Sequence, residues 1–114
     1  MSKFQAALDL YTKELKDKAG VTADADLLKA VTKACGPAIY NEDSSRVSIS
    51  DKEELARVRK NFLIKKLGLA DGPALDTAIA EVGEQLGKSN RNKFRAMFYY
   101  LLVKKFGKES VFAK

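Results

Sequence analysis

Phe94-Arg95-Ala96-Met97-Phe98-Tyr99-Tyr100-Leu101-Leu102-Val103-Lys104-Lys105-Phe106-Gly107 is the stretch on which the fold turns. Phe94, Phe98 and Leu101 fall on one helical face, but Met97, Tyr99, Tyr100, Leu102, Val103 and Phe106 cover most other directions. A helix that is apolar nearly all round is buried on several sides. This segment is therefore expected to be a central helix, with other helices packed around it. The paired lysines answer the negative end of the helix dipole, and Gly107 supplies the stop. The uncharged run from Ala96 to Val103 is far short of the ~20 residues that a membrane span needs.

Working outward, the rest of the chain supplies four more helices. Phe4, Leu8, Tyr11 and Leu15 form one stripe before Gly20. Thr22 or Asp24 is the expected cap of a second helix with Leu27, Leu28, Val31 and Cys35 inward, ended by Gly36-Pro37. Ser50-Asp51-Lys52-Glu53 matches a capping box, opening a third helix that runs to about Leu67 with Leu55, Val58 and Phe62 as its stripe. Asp71-Gly72-Pro73 opens a fourth, burying Leu75, Ile79, Val82 and Leu86 before Gly87. The fifth is expected to start at a Ser89 cap. Between helices two and three, Ile39, Tyr40, Val47 and Ile49 should pin a loop whose Val47-Ser48-Ile49 alternates like a short extended segment. The expected fold is all-α: one compact domain of about five helices, the C-terminal one central, spanning residues 1–114.

Composition narrows the chemistry. The 114 residues contain no His and no Trp, and one Cys. Without imidazole, most general acid–base schemes, the common nucleophilic triads and most zinc or iron sites are excluded. Cys35 lies on the apolar side of its helix and reads as an unreactive, buried thiol. A lone cysteine fits a reducing compartment, and the N-terminus has no apolar h-region, so a cytoplasmic location is expected. Neither Asn41-x-Asp43-x-Ser45 nor Asp24-x-Asp26 makes a calcium loop. The first puts Arg46 and Lys52 where an EF-hand needs Gly and Glu, and the second puts Cys35 at the final ligand position. Carboxylate pairs such as Glu53-Glu54 belong in first turns, where they suit the helix dipole. No catalytic residue, metal site or cofactor is expected.

Charge is the most informative feature. The chain has 21 basic and 15 acidic side chains, net +6. Residues 1–55 hold eight basic and ten acidic groups, net −2, and residues 56–114 hold thirteen and five, net +8. The positive side chains of the second half include Arg57, Arg59, Lys60, Lys65, Lys66, Lys104, Lys105 and Lys108. Such a concentration attracts polyanions. At about 100° per residue, however, the basic positions of helix three scatter around the wheel, so no stripe follows a phosphate backbone. A solvated basic surface accounts for them better than a nucleic-acid track. Lys88-Ser89-Asn90-Arg91-Asn92-Lys93 is the sharper local candidate. Cations at a helix start oppose its dipole, and an anion held by Lys88, Ser89, Asn90, Arg91 and Lys93 would relieve them.

Phe62-Leu63-Ile64-Lys65-Lys66-Leu67-Gly68 and Leu101-Leu102-Val103-Lys104-Lys105-Phe106-Gly107 resemble each other, which shared helix-ending chemistry explains without a duplication. With Gly36-Pro37-Ala38-Ile39-Tyr40-Asn41, Asn61 to Leu69, Lys88 to Ala96 and Tyr99 to Lys108 taken in order, the chain resembles a family of small, single-domain bacterial proteins of unknown function. The resemblance runs from about Leu8 to Val111. It implies a bacterial cytosolic protein and carries no catalytic or ligand-binding residue onto this sequence. The function expected from the residues is a non-catalytic binding or accessory module for an acidic protein or a phosphate-bearing ligand. Non-specific nucleic-acid binding is the alternative, and a homo-oligomer built through Tyr99, Tyr100 and Val103 is a third. The sequence leaves the oligomeric state open.

Overall fold

In the computed structural model, which describes residues 3–41, 45–87 and 93–112, five helices enclose one apolar core. Helix α1 spans Lys3–Ala19, α2 Ala25–Cys35, α3 Lys52–Arg57, α4 Pro73–Gln85 and α5 Arg95–Phe106. Short 3-10 turns cover Gly36–Tyr40 and Glu109–Val111, and α3 runs without a break into a π-helical segment, Val58–Lys66. Pro37, which ends α2, therefore continues into a tighter turn. The radius of gyration is 13.0 Å, what a single folded domain of about 100 residues has.

Helix α5 is central. Ala96, Met97, Phe98, Tyr100, Leu101, Leu102 and Val103 are all buried, and α5 packs against α1, α2 and α4. The π segment closes a further side, because the Phe62 and Tyr99 rings stack with centroids 3.9 Å apart. Tyr100 turns its hydroxyl to the start of α2, where it accepts the backbone N–H of Asp24 at 2.8 Å. Asp24 is the cap of α2: its carboxylate accepts from the N–H groups of Asp26 and Leu27. One tyrosine thus ties the central helix to a helix start 76 residues away.

Three details differ from the sequence expectation. The cap of α3 is Asp51 rather than Ser50: the Asp51 carboxylate accepts from the N–H groups of Glu53 and Glu54 at 3.0 and 3.2 Å, while the Ser50 hydroxyl meets that of Ser48. A carboxylate is also the better partner for the positive end of a helix dipole. Helix α5 starts at Arg95, not at Ser89. The backbone before it is extended: Arg46 and Phe94 form an antiparallel bridge, and the Lys93 carbonyl accepts the Val47 N–H at 2.8 Å. The alternation of Val47-Ser48-Ile49 registers here as one bridge instead of a strand. Tyr40, expected to help pin the loop, is exposed, whereas Ile39 and Val47 are buried.

Ile49 fixes the far end of that loop on α4. Its Cγ2 lies 2.9 Å from where a Cβ on Gly83 would stand. A Cβ here would push the Ile49 side chain away, so glycine lets the loop close on the helix although it is unfavourable inside one.

Candidate functional site

The π segment decides where the charge goes. Its hydrogen bonds reach back five residues, as in Leu67 N–H to Phe62 O at 2.9 Å, so the turn is wider than an α-helix's and side chains four and five apart line up instead of those three and four apart. Val58 and Leu63 form one buried row, and Phe62 and Leu67 another. Arg59 and Ile64 are half-buried, while Lys60 and Lys65, and beside them Asn61 and Lys66, are exposed. Three lysines and an asparagine therefore share one face. Counted at the α-helical step these same lysines scatter; the wider turn gathers them.

Most of the other described cations of the second half are engaged within the chain. Arg57 pairs with Glu54 at 2.8 Å, Lys105 with Glu81 at 3.1 Å and Lys104 with Glu109 at 3.4 Å. Arg59 pairs with Asp71 and lies 3.6 Å from Asp76. Lys66 also sits over the Phe112 ring, 5.4 Å from its centre. Lys60, Lys65, Lys66 and Lys108 have no acidic partner among the described residues, and Lys108 is half-buried. So the eight basic residues do not form one surface: four are tied to carboxylates, and three of the rest make the lysine face.

The anion candidate divides differently. Lys88, Ser89, Asn90 and Arg91 lie outside the described residues. Lys93 is buried at 4% exposure, and burial lowers the pKa of its ammonium. It lies in the extended segment immediately before Phe94, the residue that precedes the first turn of α5, so it stands ahead of the helix rather than inside its opening turn.

Hollows lie beside α3 and the π segment. On one side, between α3 and α4, is a cleft of about 560 Å³. Leu55, Ala56, Ile79 and Ala80 line it, with Ile49 at the end. Its rim carries Lys52, Arg59, Asp76 and Glu84. On the other side a smaller recess, about 260 Å³, lies against Asn61, Lys66 and the stacked Phe62 and Tyr99. A third hollow, between α2 and the chain's end, mixes Asp24, Asp26 and Glu109 with Lys29 and Lys33 and does not share the positive sign.

Under the lysine face runs a polar chain that sequence reasoning missed. Arg95 pairs with Glu54 and donates to the Tyr99 hydroxyl at 3.0 Å, and Glu54 also holds Arg57. Nothing in the local pattern separates Glu54 from Glu53; the only available signal was an arginine, Arg95, on an otherwise apolar helix. Tyr99 is thus engaged by Arg95 and Phe62, and Tyr100 and Val103 are buried. Of the three residues expected to build a homo-oligomer face, Tyr100 and Val103 therefore fill the core and are not presented at the surface.

The thiol of Cys35 is half-buried. Burial raises its pKa from 9.0 to about 11, with Arg95 opposing the shift. It is therefore a poor nucleophile near neutral pH. Among the described residues no helix is long and apolar enough to cross a membrane.

No curated protein matches the chain. The segments that carry the resemblance noted above, from Gly36 to Lys108, lie within one family model: residues 10–110 match "Protein of unknown function (DUF2853)", and the chain belongs to that family.

Proposed function

We propose that the protein is a non-catalytic binding module of the bacterial cytoplasm that docks an acidic partner protein on the lysine face of Lys60, Lys65 and Lys66. The observation that carries this reading is the sorting of charge by the π segment. The cations near it that have carboxylates at hand are neutralised, and the three left without one share an exposed face. Unpaired cations grouped this way steer an oppositely charged surface and set its orientation. The chain's lack of imidazole and the raised pKa of Cys35 support a role in binding over catalysis.

An acidic protein fits better than nucleic acid. Three lysines within about two turns would neutralise about three phosphates, enough only for weak and strongly salt-dependent binding. A labelled acidic peptide and a labelled DNA duplex, followed by fluorescence anisotropy at about 50 and 200 mM salt, distinguish the two. The peptide should bind more tightly than the DNA, and the triple variant Lys60→Glu, Lys65→Glu, Lys66→Glu should lose about tenfold or more of that affinity. Equal peptide binding by wild type and triple variant would refute the lysine face. Tighter binding of DNA, lost in the same variant, would move the reading to nucleic acid.

A further inference from the structure

We infer that the turn after α5, Glu109–Val111 with Phe112 at its end, is a built-in occupant of the docking surface, and that the acidic partner displaces the Phe112 ring with an aromatic side chain of its own. This rests on the lysine-face reading and adds how access to that face is controlled and what the partner carries.

The Phe112 ring stands where two hollows meet. It packs on Phe62 with centroids 6.4 Å apart, and the Lys66 ammonium sits 5.4 Å from its centre. It also lines the hollow beside Leu27 and Ala30 of α2, while Phe62 and Lys66 line the recess that reaches Ala34. Ala30 and Ala34 are four residues apart on α2, so the two hollows follow the same side of that helix, with Phe112 between them. Lifting the ring would join them into one groove between α2 and the π segment. It would also release Lys66, one of the three lysines of the face.

Little else holds the turn in place. Gly107, left-handed at φ 64°, folds the chain back from α5, and the Lys108 N–H closes on the Val103 carbonyl at 3.0 Å. Beyond that cap no residue of Glu109–Val111 is buried. Glu109 pairs with Lys104 at 3.4 Å, with 43% and 45% of the two side chains exposed, and exposed pairs contribute little. A short segment with so few buried contacts opens more readily than the core, and the cap leaves α5 intact when it does. The turn itself shows the chemistry that fits: Glu109 places a carboxylate three residues before an aromatic ring. A partner segment of the same make-up meets the lysines with its carboxylates and fills the vacated place with its ring, as aromatic side chains do at interface cores.

The experiment uses two labelled peptides of equal negative charge, one with a single phenylalanine among glutamates and the other with alanine in its place, titrated onto the full chain by anisotropy. Phe112→Ala should bind the phenylalanine peptide about tenfold tighter than the wild type does, because a closed groove lowers apparent affinity by the fraction that is open. It should bind the alanine peptide only about two- to fivefold tighter, the worth of the freed Lys66 contact. The chain has no Trp, so Phe112→Trp puts a sole fluorophore at the same place. Its emission should move to longer wavelength when the phenylalanine peptide saturates the protein. A thermal melt checks that each variant is folded, and the tryptophan arm decides alone if Phe112→Ala is not. Emission that stays put at saturation, or equal gains for the two peptides, overturns the inference and leaves the lysine face standing. Weaker binding of the phenylalanine peptide by folded Phe112→Ala also overturns it, since the ring would then be part of the partner's platform. Binding of neither peptide, by wild type or variant, removes the lysine face and this inference together.

Discussion

Glu54, near the start of α3, and Arg95, the first residue of α5, form an ion pair across 41 residues of sequence, with only 12% and 15% of their side chains exposed. Arg95 extends the connection to Tyr99, whose ring stacks on Phe62 of the π segment. The pair thus holds the helix that carries the lysine face against the central helix. A pair this poorly hydrated gains little over a well-packed apolar substitute, but losing one member strands the other.

Glu54→Gln should therefore destabilise the fold by about 2 kcal/mol, below the roughly 3–5 kcal/mol for a fully buried pair because some solvent still reaches both groups. Urea denaturation of the wild type and variant measures this directly. A second arm, Glu54→Gln combined with Arg95→Met, should recover part of the loss, since no buried charge is then left unpaired and Arg57, which also loses Glu54, is exposed to solvent. A single variant as stable as the wild type would show that the pair is not a structural tie.

The five-residue rows of the π segment make a sharper distinction. Leu63 is fully buried and Ile64, its neighbour, half-buried. Leu63→Ala should cost about 2–5 kcal/mol, as large-to-small changes in a packed core do, and Ile64→Ala much less. Leu67→Ala should resemble Leu63→Ala, because Leu67 shares a buried row with Phe62. If Ile64→Ala proved the costlier of the two neighbours, the register described for this segment would be wrong.

What was legible in the sequence follows from local rules. Apolar residues at three- and four-residue steps located α1, α2 and α4. The nearly uniform apolar character of residues 96–103 marked α5 as central, since no polar side was left to face water. Two kinds of information were not local. The π segment obeys a five-residue register, so reading it at the α-helical step scattered Lys60, Lys65 and Lys66, which the fold gathers. The importance of Glu54 depends on Arg95, 41 positions away, and nothing near Glu54 announces it. The start of α5 was misplaced for a similar reason: Ser89 is a good cap by type, but Lys93 and Phe94 are held extended by the loop at Arg46 and Val47.

Alkaline pH offers a test of the core chemistry. Burial raises the pKa of Cys35 from 9.0 to about 11, with Arg95 partly opposing it. Burial also raises that of Tyr11 from 10.0 to about 12, helped by Cys35 and Tyr40. Both groups are neutral when protonated, so as pH rises the unfolded chain releases these protons first. In that window the unfolded state binds fewer protons than the native state, and stability falls with pH. The contribution is complete below the unfolded values and is lost progressively, from about 9 to about 11 for Cys35 and from about 10 to about 12 for Tyr11. Lys93, whose pKa burial lowers, works in the opposite direction, but burial raises the pKa of Tyr99 as well, so three raised acidic groups face one lowered lysine. The urea midpoint should therefore decline between pH 8.5 and 11, with the decline reduced in Cys35→Ala, which also frees Tyr11 of its neighbour. At the lower end of this range iodoacetamide should alkylate Cys35 far more slowly in the native protein than in urea, because there the folded thiol is still protonated while the unfolded one ionises. A midpoint that held level or rose across this interval, or native alkylation as fast as unfolded, would contradict the burial of these two groups.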